Sequence, residues 1–190
     1  MKKSVKSLVL ITISAFIFQT TTAQLKLPTI NGVTNDVKKV IEDYPNHFAN
    51  IKGEMISQTM QTTDYACTFK ANGAEETTIT QYSSNKEMYS WQALMLTTEN
   101  FDKAKQKFKA IFNQLNNASV KTGDINYKLK GDYEQPSDKK KFSSVILSAG
   151  PGDKLKVEIS LQAYESMEWK VKIIIYDRER EDDERGATQE

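Results

Sequence analysis

The sequence predicts an α+β fold: two tandem modules, each a helix followed by an antiparallel meander. Both helices are expected on one face of a predominantly antiparallel sheet of about six to seven strands. Three observations carry this expectation. Two segments place apolar residues at the spacing of one helical face. Each is followed by runs in which apolar and polar residues alternate, joined by short turns. The two halves, 34–97 and 100–177, also align at an offset of about 64 residues.

The first helical region begins near Thr34 to Asp36 and carries Val37, Val40, Ile41 and Tyr44. Pro45 lacks the amide hydrogen a helix interior uses and should kink or restart it. Phe48 and Ile51 continue the apolar face, and Gly53 is the expected stop. Tyr65, Cys67 and Phe69 then alternate as a strand. Asn72-Gly73 favours a tight turn, after which Glu75 to Tyr82 and Met88 to Leu96 read as strands.

The second helix is the clearer one. Phe101, Ala104, Phe108, Ile111, Phe112 and Leu115 share a face, Asn100 is placed to cap the start, and Asp102 sits where the helix dipole favours a negative charge. Asn116 and Asn117 mark the exit. Ile125, Tyr127 and Leu129 alternate next, mirroring 65, 67 and 69 in the first half. Phe142 to Ala149 is a β-branched strand, and Gly150-Pro151-Gly152-Asp153 a strong turn. Leu155 to Ala163 gives the cleanest alternation in the chain, and Trp169, Val171, Ile173 and Ile175 alternate with lysines after it.

Residues 1–23 are expected to be a cleaved signal peptide. Lys2, Lys3 and Lys6 supply a positive start, Leu8 to Phe18 an apolar run, and Thr20 to Ala23 small residues before a cut between Ala23 and Gln24. The apolar run is about half the length a spanning helix needs, so the chain crosses a membrane on export without keeping an anchor. Cleavage removes three lysines and no acid, taking the net charge from +1 to −2. That balance argues against nucleic acid as a partner, because phosphate binding needs a net basic face. Residues 24–177 form one α+β domain, and the charge-mixed 178–190 a disordered tail. The expected location is the bacterial periplasm or exterior.

Chemistry is sparse. His47 is the only histidine and Cys67 the only cysteine, so neither a triad nor a closed zinc site can be assembled. His47 is expected on or beside the buried helix face, and Cys67 buried as a small apolar residue. Asp132, Glu134 and Asp138 lack the spacing of a calcium loop. Gly150-Pro151-Gly152 joins strands instead of opening a phosphate-binding helix. No cofactor, metal or catalytic residue is read, and a non-catalytic role is expected.

Two surfaces stand out. Lys103, Lys105, Lys107 and Lys109 leave most of the second helix's outer side positive, a patch for an anionic partner. Leu94, Leu96, Ile174 and Tyr176 place apolar side chains on the sheet face away from the helices, which should otherwise be polar. That interaction surface would take a protein partner or a second copy of the chain. The expected function is therefore a binding or protein-interaction module. A carrier of a small apolar ligand between helices and sheet is the first alternative. An enzyme with a carboxylate and tyrosine site gathered only in three dimensions is the second.

Overall fold

The computed structural model describes residues 32–83, 88–122, 124–148, 154–164 and 167–177. The signal segment with its cut at Ala23, the turn at 150–153 and the tail 178–190 lie outside the described residues. Helix α1 covers Gly32–Asp43, and a 3-10 turn follows at Tyr44–Asn46. Four strands come next: β1 Lys52–Gln58, β2 Thr62–Cys67, β3 Glu76–Tyr82 and β4 Met88–Thr98. Helix α2 is Phe101–Leu115. Five further strands follow among the described residues: β5 Ser119–Thr122, β6 Ile125–Lys128, β7 Phe142–Leu147, β8 Leu155–Ala163 and β9 Trp169–Asp177.

The large sheet has seven strands in the order β1-β2-β3-β4-β9-β8-β7, every pair antiparallel. The α+β class and the antiparallel sheet expected from alternation are observed. Two short meanders meet at the β4–β9 pair in the middle of the sheet. β5 and β6 form a separate two-stranded sheet, so β6 does not take the place in the large sheet that β2 occupies. That hairpin packs against α1 and adds Val120, with Leu129 just beyond it, to the core.

α2 forms where its sequence places it. The Asn100 side chain accepts a hydrogen bond from the Lys103 amide at 3.0 Å, satisfying an otherwise open donor of the first turn. Ala104, Phe108, Ile111, Phe112 and Leu115 are its buried residues, and it lies on β4, β8 and β9. Beneath it are Trp91, Ala93, Ile159, Leu161, Val171 and Ile173, all fully buried in the same core. α1 contributes Val33, Val37, Val40 and Ile41 to that core. Burial of this apolar area is the main force holding the layers together, at roughly 25 cal/mol per Å².

The first helix departs from expectation. It ends at Asp43 instead of continuing to Gly53. Pro45 sits in the 3-10 turn, and His47 and Phe48 both have positive φ (53° and 59°). The buried Asp43 carboxylate holds this turn, accepting from Asn46 Nδ2, the Asn50 amide and Asn50 Nδ2. The segment expected as helix end thus becomes the lead into β1.

Among the described residues, three buried polar atoms have no hydrogen-bond partner: Trp91 Nε1, Gln114 Oε1 and Tyr133 Oη. Tyr133 packs its ring 5.1 Å from Phe112 and 6.1 Å from Phe108. Burial holds its hydroxyl above the ordinary tyrosine value. Tyr133→Phe is therefore expected to raise stability by about 1 kcal/mol, read from the urea midpoint. The pH dependence has a definite sign. Above about pH 10 the unfolded chain ionises this tyrosine while the folded chain resists, so wild-type stability falls as pH rises. The phenylalanine variant lacks that component.

Candidate functional site

Strand pairing fixes which side chains share the sheet face away from the helices. Ile79, Trp91 and Ile175 lie in one helix-side row, so their strand neighbours point the other way. On that far face Glu76, Leu94 and Lys172 form one row across β3, β4 and β9. Thr78, Gln92 and Ile174 form the next. Asp64 on β2 sits opposite Thr80 on β3.

These rows line a trough of about 310 Å³. Its walls and floor are Ile56, Asp64, Glu76, Thr78, Thr80, Gln92, Leu94, Lys170 and Lys172. Carboxylates come from β2 and β3 and ammonium groups from β9, with Leu94 between them. Asp64 is held in place: its carboxylate accepts from Thr80 Oγ1 at 2.7 Å and from Ser57 Oγ at 3.0 Å. Gln92 Nε2 reaches Thr80 Oγ1 at 3.5 Å, a contact too long to fix the amide firmly. Lys170 Nζ stands 4.5 Å from the centre of the Tyr164 ring, a cation–π contact that steadies it. Among the described residues, Glu76 and Lys172 form no ion pair with each other or with a third group.

The four apolar residues expected on this face do not stay together. Leu94 lies in the trough. A bulge between Leu94 and Leu96 shifts the β4–β9 register, so Leu96 stands opposite Val171 and packs against the helix-side core. The strict alternation that put Leu96 beside Leu94 fails there, because a bulge adds a residue to one strand only. Ile174 and Tyr176 keep the far face, Ile174 half-buried and Tyr176 buried. Met88 is buried on the same side and, like Tyr176, lies outside the main core cluster.

The lysines of α2 differ in exposure. Lys103 and Lys109 are exposed, whereas Lys105 and Lys107 are half-buried. Lys105 leans toward the Phe101 ring, 6.0 Å from its centre. Burial pushes the Lys107 ammonium below its ordinary value, and the nearby Glu75 carboxylate opposes that shift. His47 is exposed, not on a buried helix face, because the helix stops before it; its ring lies 5.6 Å from Tyr89. Cys67 is half-buried at the rim of the core instead of fully enclosed, near the end of β2. In the loop after β6, Glu134 pairs with Lys140 at 2.6 Å, and no metal-binding group of acids, histidine and cysteine occurs among the described residues.

Most of the trough was not singled out by the sequence. Asp64, Glu76, Thr78, Thr80, Gln92, Lys170 and Lys172 read as the outward polar half of alternating strands. The available signal was the threonine-rich β3, polar on both faces where a merely solvated strand needs polarity on one. Comparison with protein-family models, curated proteins and solved structures finds no match to this chain.

Proposed function

We propose that this chain is an exported, non-catalytic binding protein that takes its ligand on the helix-free face of the sheet. The observation that carries this reading is the trough itself. Seven polar side chains from four strands converge on a concave site, with Leu94 and Ile56 supplying apolar contact. Small-molecule sites are concave and fix their ligand with convergent polar groups; this one is more polar than the usual mainly apolar pocket, which favours a polar ligand. A sheet also places such side chains more rigidly than a loop does.

Thr78→Trp tests the site. It puts an indole into the trough from a half-buried surface position. In a thermal-shift screen of small polar molecules, ligands that raise the wild-type melting temperature should have no effect on this variant. Its own melting temperature should stay within a few degrees of wild type. Ligands that stabilise both proteins equally would move the site elsewhere.

Export rests on the lysine start, the apolar run and the small residues before Gln24. Expressed in full in a bacterial host, the protein is expected outside the cytoplasm with an intact mass that begins at Gln24. Recovery of the uncleaved chain from the cytoplasm would defeat this part.

The same reading treats the halves as tandem helix-plus-meander modules. Support comes from the chain order, α1 before β1–β4 and α2 before β5–β9, and from the meeting of β4 with β9. The apolar-carrier alternative draws no support from the trough, which is on the opposite face from the helices. The carboxylate and tyrosine enzyme alternative would draw on Asp64 and Glu76. Asp64 faces Thr80, four residues from Glu76, so the two acids are anchored about 14 Å apart on the sheet, and no tyrosine is among the described residues that line the trough.

A further inference from the structure

The trough is divided by charge, and its division narrows what it can hold. Glu76, Leu94 and Lys172 are direct neighbours across three adjacent strands. At about 4.8 Å per strand, the backbone points carrying the carboxylate and the ammonium are about 10 Å apart. Their side chains rise from the same face with the half-buried Leu94 between them. Lys170 adds a second positive charge beside Lys172, and Asp64 a second negative charge on the side of Glu76. Asp64 receives hydroxyl hydrogen bonds but no cation. Among the described residues, Glu76 and Lys172 have neither.

Opposite charges on one concave surface that do not neutralise each other leave complementary work for a ligand. A simple anion would be drawn to the β9 lysines and repelled by the acids, and a simple cation the reverse. A molecule carrying both charges satisfies both ends at once. With both side chains standing upright on the sheet, their charged ends keep about that 10 Å; allowing about 2.8 Å for each charge-assisted hydrogen bond, the ligand's own charges should then lie about 4–5 Å apart. An aliphatic stretch between them would rest on Leu94, while Thr78 and Gln92 offer hydroxyl and amide groups along the side.

We propose that the trough binds a small zwitterion, an ammonium and a carboxylate joined by a short aliphatic chain, with the ammonium at Glu76 and the carboxylate at Lys172. This rests on the trough being the binding site and specifies its ligand class.

The experiment is a titration of the isotope-labelled protein, followed by amide NMR shifts, with straight-chain ω-amino acids from glycine to 6-aminohexanoate. Butylamine and butyrate serve as singly charged controls. Affinity should peak at an intermediate chain length, with shifts centred on residues 76–78, 92–94 and 170–172. Each control should bind at least about tenfold more weakly than the best zwitterion. Glu76→Gln and Lys172→Met should each cost about tenfold or more. The exchanged double variant Glu76→Lys/Lys172→Glu should recover most of that loss, because a zwitterion can turn end for end. A monotonic series, a control that binds as well as the zwitterions, or no binding by any member at about 10 mM would overturn the proposal. A singly charged or neutral ligand that Thr78→Trp blocks would retire the zwitterion and leave the trough as the site. A zwitterion that binds Thr78→Trp unchanged would retire the trough.

Discussion

Phe108→Ala is expected to destabilise the protein by about 3–5 kcal/mol, the range for emptying a phenylalanine site in a packed core. Phe108 is fully buried near the middle of the α2 face that lies on β4, β8 and β9. Its neighbours on the helix, Ala104, Ile111 and Phe112, are fixed by the same turn geometry and cannot move in to fill the space. Domains of this size are stable by about 5–15 kcal/mol, so about a fifth of the total or more is at stake. Urea unfolding followed by circular dichroism measures it, and the midpoint should fall sharply without a change in slope. Lys109→Ala, one residue along on the exposed side, should stay within about 0.5 kcal/mol. A loss below about 1 kcal/mol for Phe108→Ala would mean that α2 does not cover the sheet as described.

Asp43→Ala comes second, with an expected cost of about 2–4 kcal/mol. The carboxylate is buried and accepts from three donors on Asn46 and Asn50. Hydrogen bonds to a charged acceptor are worth more than neutral ones, and their loss unties Asn46 and Asn50 from the end of α1. The turn they stabilise is itself costly. His47 and Phe48 both occupy the left-handed region, at roughly 1–2 kcal/mol each for residues with a Cβ. The Asp43 bonds offset that cost and deliver the chain into β1, whose Ile56 lines one wall of the trough. Asp43→Asn keeps the shape and one acceptor oxygen, so it should lose less than the alanine variant. Equal losses in the two would assign the effect to charge alone.

These effects trace back to features of unequal legibility. α2, its Asn100 cap and the alternation of β8 and β9 were readable residue by residue. Each is a local pattern in which burial on one side repeats at the period of the element. β1 was not readable, because Met55 and Ile56 are exposed and the strand has no buried alternation to betray it. β5 is only four residues long, too short for any period to emerge. The first helix was read past its end because Phe48 and Ile51 are buried and happen to continue its spacing. They reach the core from a turn instead.

By itself the sequence determined the class of the fold, the two helical faces and the core-facing residues of the central strands, since these follow from periodicity and apolar burial along a single element. Only the tertiary structure decided the site. Which outward residues become neighbours depends on strand order and register, and both are settled by pairing between segments far apart in the chain. Glu76 and Lys172 stand 96 positions apart in sequence, yet they flank one leucine. One inserted residue in β4 likewise turned Leu96 from the open face to the core, a change that no pattern within that strand announces.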